Sequence, residues 1–236
     1  GQAAGIQDRL GLPFVLITAL GLSALSAPPR SRRAARLLAR ERDSYGASSL
    51  FLSATYVGDV LPLRVLPPLA LAGLVVGLSH AAKSYNHALG FVLAAAQAHY
   101  VLAALGRAIG ALASSNAIAS AATSLVLLCN LLLSGFFISP NDLAPPFGAL
   151  AACLPASYAY EALVVHEFAL VKDLYISSKV GSSKIRTGPY PGESILRCFG
   201  FDADNVLADH LVLVAFGVGV DLLTCAFYAA FAFEKR

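Results

Sequence analysis

The side chains able to do chemistry in this chain stand mostly where chemistry is expensive. His99 and Asp221 each fall inside a long apolar run, and Asp59 and Arg64 lie five residues apart around Pro62 at the start of another. A charge in the middle of a hydrocarbon layer costs about 2.5–3.5 kcal/mol on insertion scales, so each such group should face protein or a water-filled cavity. Two readings stand for His99 and Asp221: proton-sensitive groups, or polar residues paired within helix packing. Two also stand for Arg64: an ion-paired or snorkelling guanidinium, or an arginine lining a substrate path. Intramembrane hydrolysis would need a paired carboxylate or a nucleophile–base set at helical spacing, and Asp221 and His99 do not supply one. The four cysteines, Cys129, Cys153, Cys198 and Cys225, form no CxxC and have no histidine at ligand spacing, so no metal or redox site is expected. No G-x-x-x-x-G-K-[ST] occurs, and nothing here can cradle nucleotide phosphates.

The elements that must position these residues follow from composition. Of the 236 residues 57% are hydrophobic and only 13% charged, with a mean hydropathy of +0.69. A soluble globule could not cover that much apolar surface with so few charges, and a net charge of +3 gives no footprint for nucleic acid. About 20 apolar residues cross a bilayer as a helix. Five such runs are expected, over residues 10–27, 60–79, 88–112, 117–138 and 211–233, making an all-α polytopic membrane protein.

The connections orient the spans. Residues 30–42 hold six arginines against one acid, a density retained on the cytoplasmic side. That places the N-terminus outside, the C-terminus inside and the 140–210 segment outside. Pro28 and Pro29 are expected to stop the first span, and the Ala-, Leu- and Arg-rich stretch after them favours helix. Such a basic helix either binds anionic headgroups or docks a cytoplasmic partner. Within 140–210, residues 147–168 suit a re-entrant or interfacial helix, and residues 172–191 read as an exposed loop. Gly73-x-x-x-Gly77 and Gly106-x-x-x-Gly110 offer close helix approach.

Several stretches in order now carry a likeness. GIQDRLGLPF at 5–14 opens a span; RERDSYGASSLFLS at 40–53 precedes DVLPLRVLPP at 59–68; SGFFISPNDLAPPF at 134–147 leads into LPASYAYEALVVHEF at 154–168; GESILRCFGFD follows at 192–202. Together they resemble the transmembrane domain of G-subfamily ABC transporters, the White-like and multidrug half-transporters, over nearly the whole chain. The resemblance implies an ABC-2 type membrane domain with five of six helices and an outer re-entrant segment. The first helix and an ATP-binding domain, with its ATP and Mg, would lie upstream; a chain opening on Gly1 without any methionine fits that expectation. It also implies a homo- or heterodimer that exports lipid-like or hydrophobic molecules by alternating access. The alternative is an ABC-2 type permease whose ATPase is a separate chain. Membrane lipid and a nucleotide-binding domain are the other expected partners.

Residue roles follow from the same resemblance. Arg40, Glu41, Arg42 and Tyr45 match the region, residues 30–48, that receives motion from the ATPase. Val15, Leu22, Leu127, Leu128, Leu131, Phe136 and Phe137 match positions that narrow the central path, with Arg64 beside them. Val15 and Leu22 stand where many relatives carry aromatics that stack on flat substrates, so these aliphatic residues count against a flat polycyclic ligand and leave lipid-like cargo open. Glu161 matches a glutamate near the outer end of the path, and His166 replaces the usual Asn or Gln. Cys198, in the outer segment, is a candidate for an intersubunit disulfide.

Overall fold

The computed structural model describes residues 6–41, 56–79, 84–171, 174–180 and 183–234. Its first helix, α1 (Ile6–Ala24), is followed after a two-residue turn by α2 (Ala27–Glu41). A π-helical stretch (Tyr56–Val65) runs directly into α3 (Leu66–Ser79), and then come α4 (Tyr85–Leu112) and α5 (Asn116–Leu132). Two shorter helices, α6 (Pro145–Ala152) and α7 (Pro155–Phe168), meet at a bend of 80°. A hairpin of β1 (Leu174–Val180) and β2 (Ser183–Tyr190), helix α8 (Gly192–Cys198) and the long α9 (Val206–Glu234) complete the chain.

Four of these stretches are long and apolar enough to cross a membrane: Ile6–Ala34, Gly58–Ser79, Tyr85–Leu112 and Ala203–Tyr228. The bent α6–α7 pair passes the same test as a broken span or a re-entrant loop. The expected run at 117–138 forms only the 17-residue α5, because the chain leaves the helix at Leu133. This is a multi-pass integral membrane protein, all-α among the described residues apart from the β1–β2 hairpin.

Helix α4 is the axis of the bundle. It packs against α1, α2, α3, α5, α7 and α9. Its buried positions are dominated by small residues, among them Ala94, Ala95, Ala98, Ala103 and Gly106. Small side chains let backbones approach closely, which is what drives association where lipid is as apolar as leucine. At Gly110 the approach is tightest: an added Cβ would lie 2.6 Å from the carbonyl oxygen of Pro28. The Gly106–Gly110 pair is therefore the seat of α2. Gly73 and Gly77 meet nothing within 4 Å in this chain.

Two local expectations change. Helix α1 ends at Ala24, ahead of the prolines, and Pro28 and Pro29 occupy the first turn of α2. A first-turn proline loses no hydrogen bond, since those N–H groups have no partner within the helix, so the pair starts α2 as well as ending α1. The stretch at 172–191 is not simply a loop: Ile176 pairs with Thr187 and Val180 with Ser183 in an antiparallel ladder. Its polar composition hid the strand signal.

Candidate functional site

The path residues expected from the sequence separate into two sets, and Leu125 and Leu132, not among them, join the exposed one. Val15 and Leu22 project from one face of α1, and Leu125, Leu128 and Leu132 from one face of α5, all more than half exposed. Their spacings of seven on α1, and three and four on α5, keep each set on a single helix stripe. Leu127 and Leu131 instead point into the protein, at 6% and 9% exposure. The reason lies across the contact: Gly21 has no side chain, and Leu127 Cδ1 fills the place where its Cβ would be, 2.5 Å away. Leu127 thus packs α5 onto α1, while Leu128 stays on the open face.

An aromatic group closes one end of that face. Phe14 stacks on Phe136 at 4.3 Å between ring centroids, and Phe137 meets Phe14 edge-on at 5.0 Å. Tyr160 of α7 packs edge-on against Phe136 and Phe201, and its hydroxyl donates to the Leu10 carbonyl at 3.0 Å. Phe136 is consequently held in a stack, whereas Phe137 is 60% exposed. Glu161, one residue on, accepts the backbone N–H of Asp202 at 3.0 Å and so ties α7 to the chain before α9.

Arg64 is buried, not displayed on the open face. It sits at 2% exposure and donates to Ser26 Oγ, in the α1–α2 turn, at 3.1 Å. Asp59 lies 3.8 Å from its Nε and also accepts from Arg30 of α2 at 3.0 Å. The Nε and Nη2 of Arg64 have no hydrogen-bond partner among the described residues. Close by, His99 Nδ1 approaches the Leu20 carbonyl at 2.9 Å and Ser23 Oγ at 3.1 Å. The junction of α1 and α2 is therefore built from hydrogen bonds to α4 and to the π-helical stretch.

The basic helix α2 is anchored by part of its charge. Arg32 donates to the carbonyls of Ala113 and Ser114, just beyond the C-terminus of α4, where partial negative charge accumulates. Ser31 Oγ donates to the Arg107 carbonyl at 2.8 Å and also meets the Tyr228 hydroxyl of α9. Arg33 and Arg36 remain exposed. Arg40 and Glu41 stand at the last residues of α2, and Arg42 and Tyr45 lie outside the described residues.

Three sets of contacts were not readable from the sequence, although pairing of Asp221 within helix packing was one of its two readings. Arg107 of α4 and Asp221 of α9 form a buried two-pronged ion pair, with Nη2 2.7 Å from both carboxylate oxygens, and Tyr100 donates to Asp221 at 2.8 Å. Asn130, fully buried on α5, accepts the N–H of Ala156 at 3.3 Å and caps the start of α7. Three of the chain's five histidines, His87, His166 and His210, meet between α4, α7 and α9. Polar residues inside apolar runs were the available signal; their partners were not readable. Cys198 is exposed and unpaired in this single chain, as is Cys153. Among the described residues no group of three or more His, Cys, Asp or Glu could hold a metal ion.

Comparisons with known proteins bear on this arrangement directly. The family model described as ABC-2 type transporter matches residues 1–168. A "Probable ATP-dependent permease" of Saccharomyces cerevisiae is 28% identical over 225 residues, covering 91% of this chain and 20% of that protein. "ABC transporter G family member 24" of Dictyostelium discoideum is 25% identical over 234 residues, covering 98% of this chain and again 20% of its own length. The chain thus spans about a fifth of the curated relatives it matches.

Proposed function

The chain belongs to the ABC-2 type transporter family, and from that premise we propose that it forms the membrane path of an ATP-driven exporter of lipid-like or other hydrophobic small molecules. The observation that carries this reading is the aliphatic face of Val15, Leu22, Leu125, Leu128 and Leu132, capped by Phe137. A wall of branched aliphatic side chains gives a flexible acyl or isoprenoid cargo wide dispersion contact without a fixed ring geometry. It offers few aromatic platforms for a flat polycycle. In the working transporter a second half, identical or related, faces this wall, and the two alternate access to the space between them.

The chain has no nucleotide site of its own, so ATP and Mg would be held by a partner ATPase domain. The words "ATP-dependent permease" belong to the yeast relative, and the length of both relatives favours an ATPase in the same polypeptide over a separate chain. Force would enter through α2: Arg30 and Arg32 brace it, and the chain beyond its exposed Arg33 and Arg36 runs on to Arg40, Glu41, Arg42 and Tyr45. A rigid lever of this kind transmits a displacement that a loose loop would dissipate.

The test is transport by the full-length protein in lipid vesicles, comparing fatty alcohols and sterols with flat aromatic dyes. The reading expects ATP-dependent movement of the aliphatic cargo, and a several-fold loss when Leu128 is replaced by Asp on the open face. Transport of dyes alone, or transport indifferent to Leu128→Asp, would overturn it.

A further inference from the structure

The substrate face does not use the three histidines at the end of the bundle opposite α2. His87 stands in the first turn of α4, His166 near the end of α7, and His210 at the start of α9. His166 lies between the other two. Its Nδ1 is 3.4 Å from His87 Nδ1, and its Nε2 is 3.1 Å from His210 Nε2. The far nitrogen of His210, Nδ1, is 2.5 Å from Oε1 of Gln97. The close fit depends on Gly90, since a Cβ there would lie 2.2 Å from the His166 ring. His87 and Gln97 both belong to α4 and are ten residues apart, so the line runs along that helix between backbone positions about 15 Å apart.

Hydrogen-bond bookkeeping gives the line a direction. The Gln97 oxygen only accepts, so His210 Nδ1 carries a hydrogen, and a neutral ring then leaves His210 Nε2 as an acceptor. His166 must donate through Nε2, which leaves its Nδ1 to accept from His87 Nδ1–H. The lone pair of His87 Nε2 is left over, on a partly exposed residue. One set of tautomers thus satisfies every contact with all rings neutral.

We propose that this line is a proton-binding site loaded from the end opposite α2. A proton taken up at His87 Nε2 releases the hydrogen on His87 Nδ1 to His166 Nδ1. His166 then releases its Nε2 hydrogen to His210 Nε2, and His210 becomes the imidazolium, still donating through Nδ1 to Gln97. One proton enters, two hydrogens each move across one contact, and each of those contacts still holds one hydrogen afterwards. A second proton has no such route, because it would set two N–H groups face to face at 3.1 or 3.4 Å. The site therefore holds a single proton, carried inward to His210.

The ionisable groups around the line come from every element packed there. Helix α1 brings Asp8 and Arg9, and Arg9 is paired with the buried Glu167 of α7. Helix α7 also carries Glu161, held by Asp202, while α8 carries the exposed Glu193–Arg197 pair. Helix α9 contributes Asp209, a buried carboxylate in the same turn as His210 whose Oδ2 has no partner among the described residues. Helices α5 and α6 present no charged residue. The phenols Tyr85, Tyr158 and Tyr160 are the other titratable side chains on α4 and α7 near the line.

The experiment is nitrogen-15 NMR of imidazole tautomers in the full-length protein in lipid vesicles, from pH 8 to pH 5. The expected result is that His87 and His166 exchange tautomer while His210 becomes the doubly protonated imidazolium, all at one midpoint and with uptake of one proton. His87→Gln, a change at the partly exposed end, should abolish both the exchange at His166 and the protonation of His210. Gln97→Leu removes the terminal acceptor and should move the shared midpoint to more acid pH. Three separate midpoints, uptake of more than one proton across the line, or unchanged titration of His166 and His210 in His87→Gln would each overturn the proposal.

Discussion

At the scale of single residues, the membrane interior sets the terms. Arg107 and Asp221 are 114 positions apart, and each alone would be a costly charge in an apolar helix. Only the packing of α9 on α4 makes them a pair, which is why the sequence shows two isolated oddities and the fold shows one bond. Removing one partner of such a buried pair typically costs about 3–5 kcal/mol, because the other charge is left without compensation. Replacing both with apolar side chains of similar volume removes the desolvation problem along with the attraction. Asp221→Leu is therefore expected to lower the thermal midpoint of the purified protein sharply, and Arg107→Met combined with Asp221→Leu to recover most of the loss. A double variant as unstable as the single one would show that Arg107 or Asp221 is needed for more than cancelling its partner. Arg64 belongs to the same class of residue: two readings stand for it, and in the single chain its guanidinium is buried and hydrogen-bonds Ser26 at the α1–α2 junction.

At the scale of elements, hydropathy found the long helices because each span is a run of apolar residues, and it missed what depends on neighbours. The break at Leu25–Ser26, the cap that Asn130 gives α7, and the strands at 174–190 are all set by partners distant in sequence or by backbone pairing. Glycine spacing is an instructive middle case. Both G-x-x-x-G pairs look alike in sequence, yet Gly110 lies against the Pro28 backbone while Gly77 faces open space. A Cβ at Gly110 would have to push backbone aside, and overpacking of that kind costs about 1–3 kcal/mol. Gly110→Ala should accordingly destabilise the protein measurably in a melting experiment, and Gly77→Ala should leave the melt of the single chain unchanged. The lever reading of α2 has its own test. Glu41→Ala in the full-length transporter is expected to leave ATP hydrolysis and membrane insertion intact while lowering export per ATP consumed. Unchanged coupling would remove Glu41 from that role.

At the scale of the whole molecule, the proposed pairing of two halves would divide the apolar surface between two kinds of neighbour, lipid and protein. Helix α9 exposes Leu211, Leu222 and Leu223 as freely as α1 exposes Val15 and Leu22, so exposure alone does not say which side meets a second half-transporter. The polar and aromatic furniture breaks the tie. The α1–α5 side carries the stacked Phe14–Phe136 cap and the junction to the basic helix α2, and the proposed function assigns the interface to that side. Two halves facing each other across that side would bring their α1 helices close together about the axis between them. In a background with the four native cysteines changed to serine, Leu22→Cys should therefore form a disulfide-linked dimer in membranes treated with a mild oxidant. Leu223→Cys, equally apolar and 73% exposed on α9, should stay monomeric under the same treatment. Crosslinking at Leu223 with none at Leu22 would put α9 at the interface and turn the aliphatic face of α1 and α5 toward lipid, and the proposed export path would fall with it.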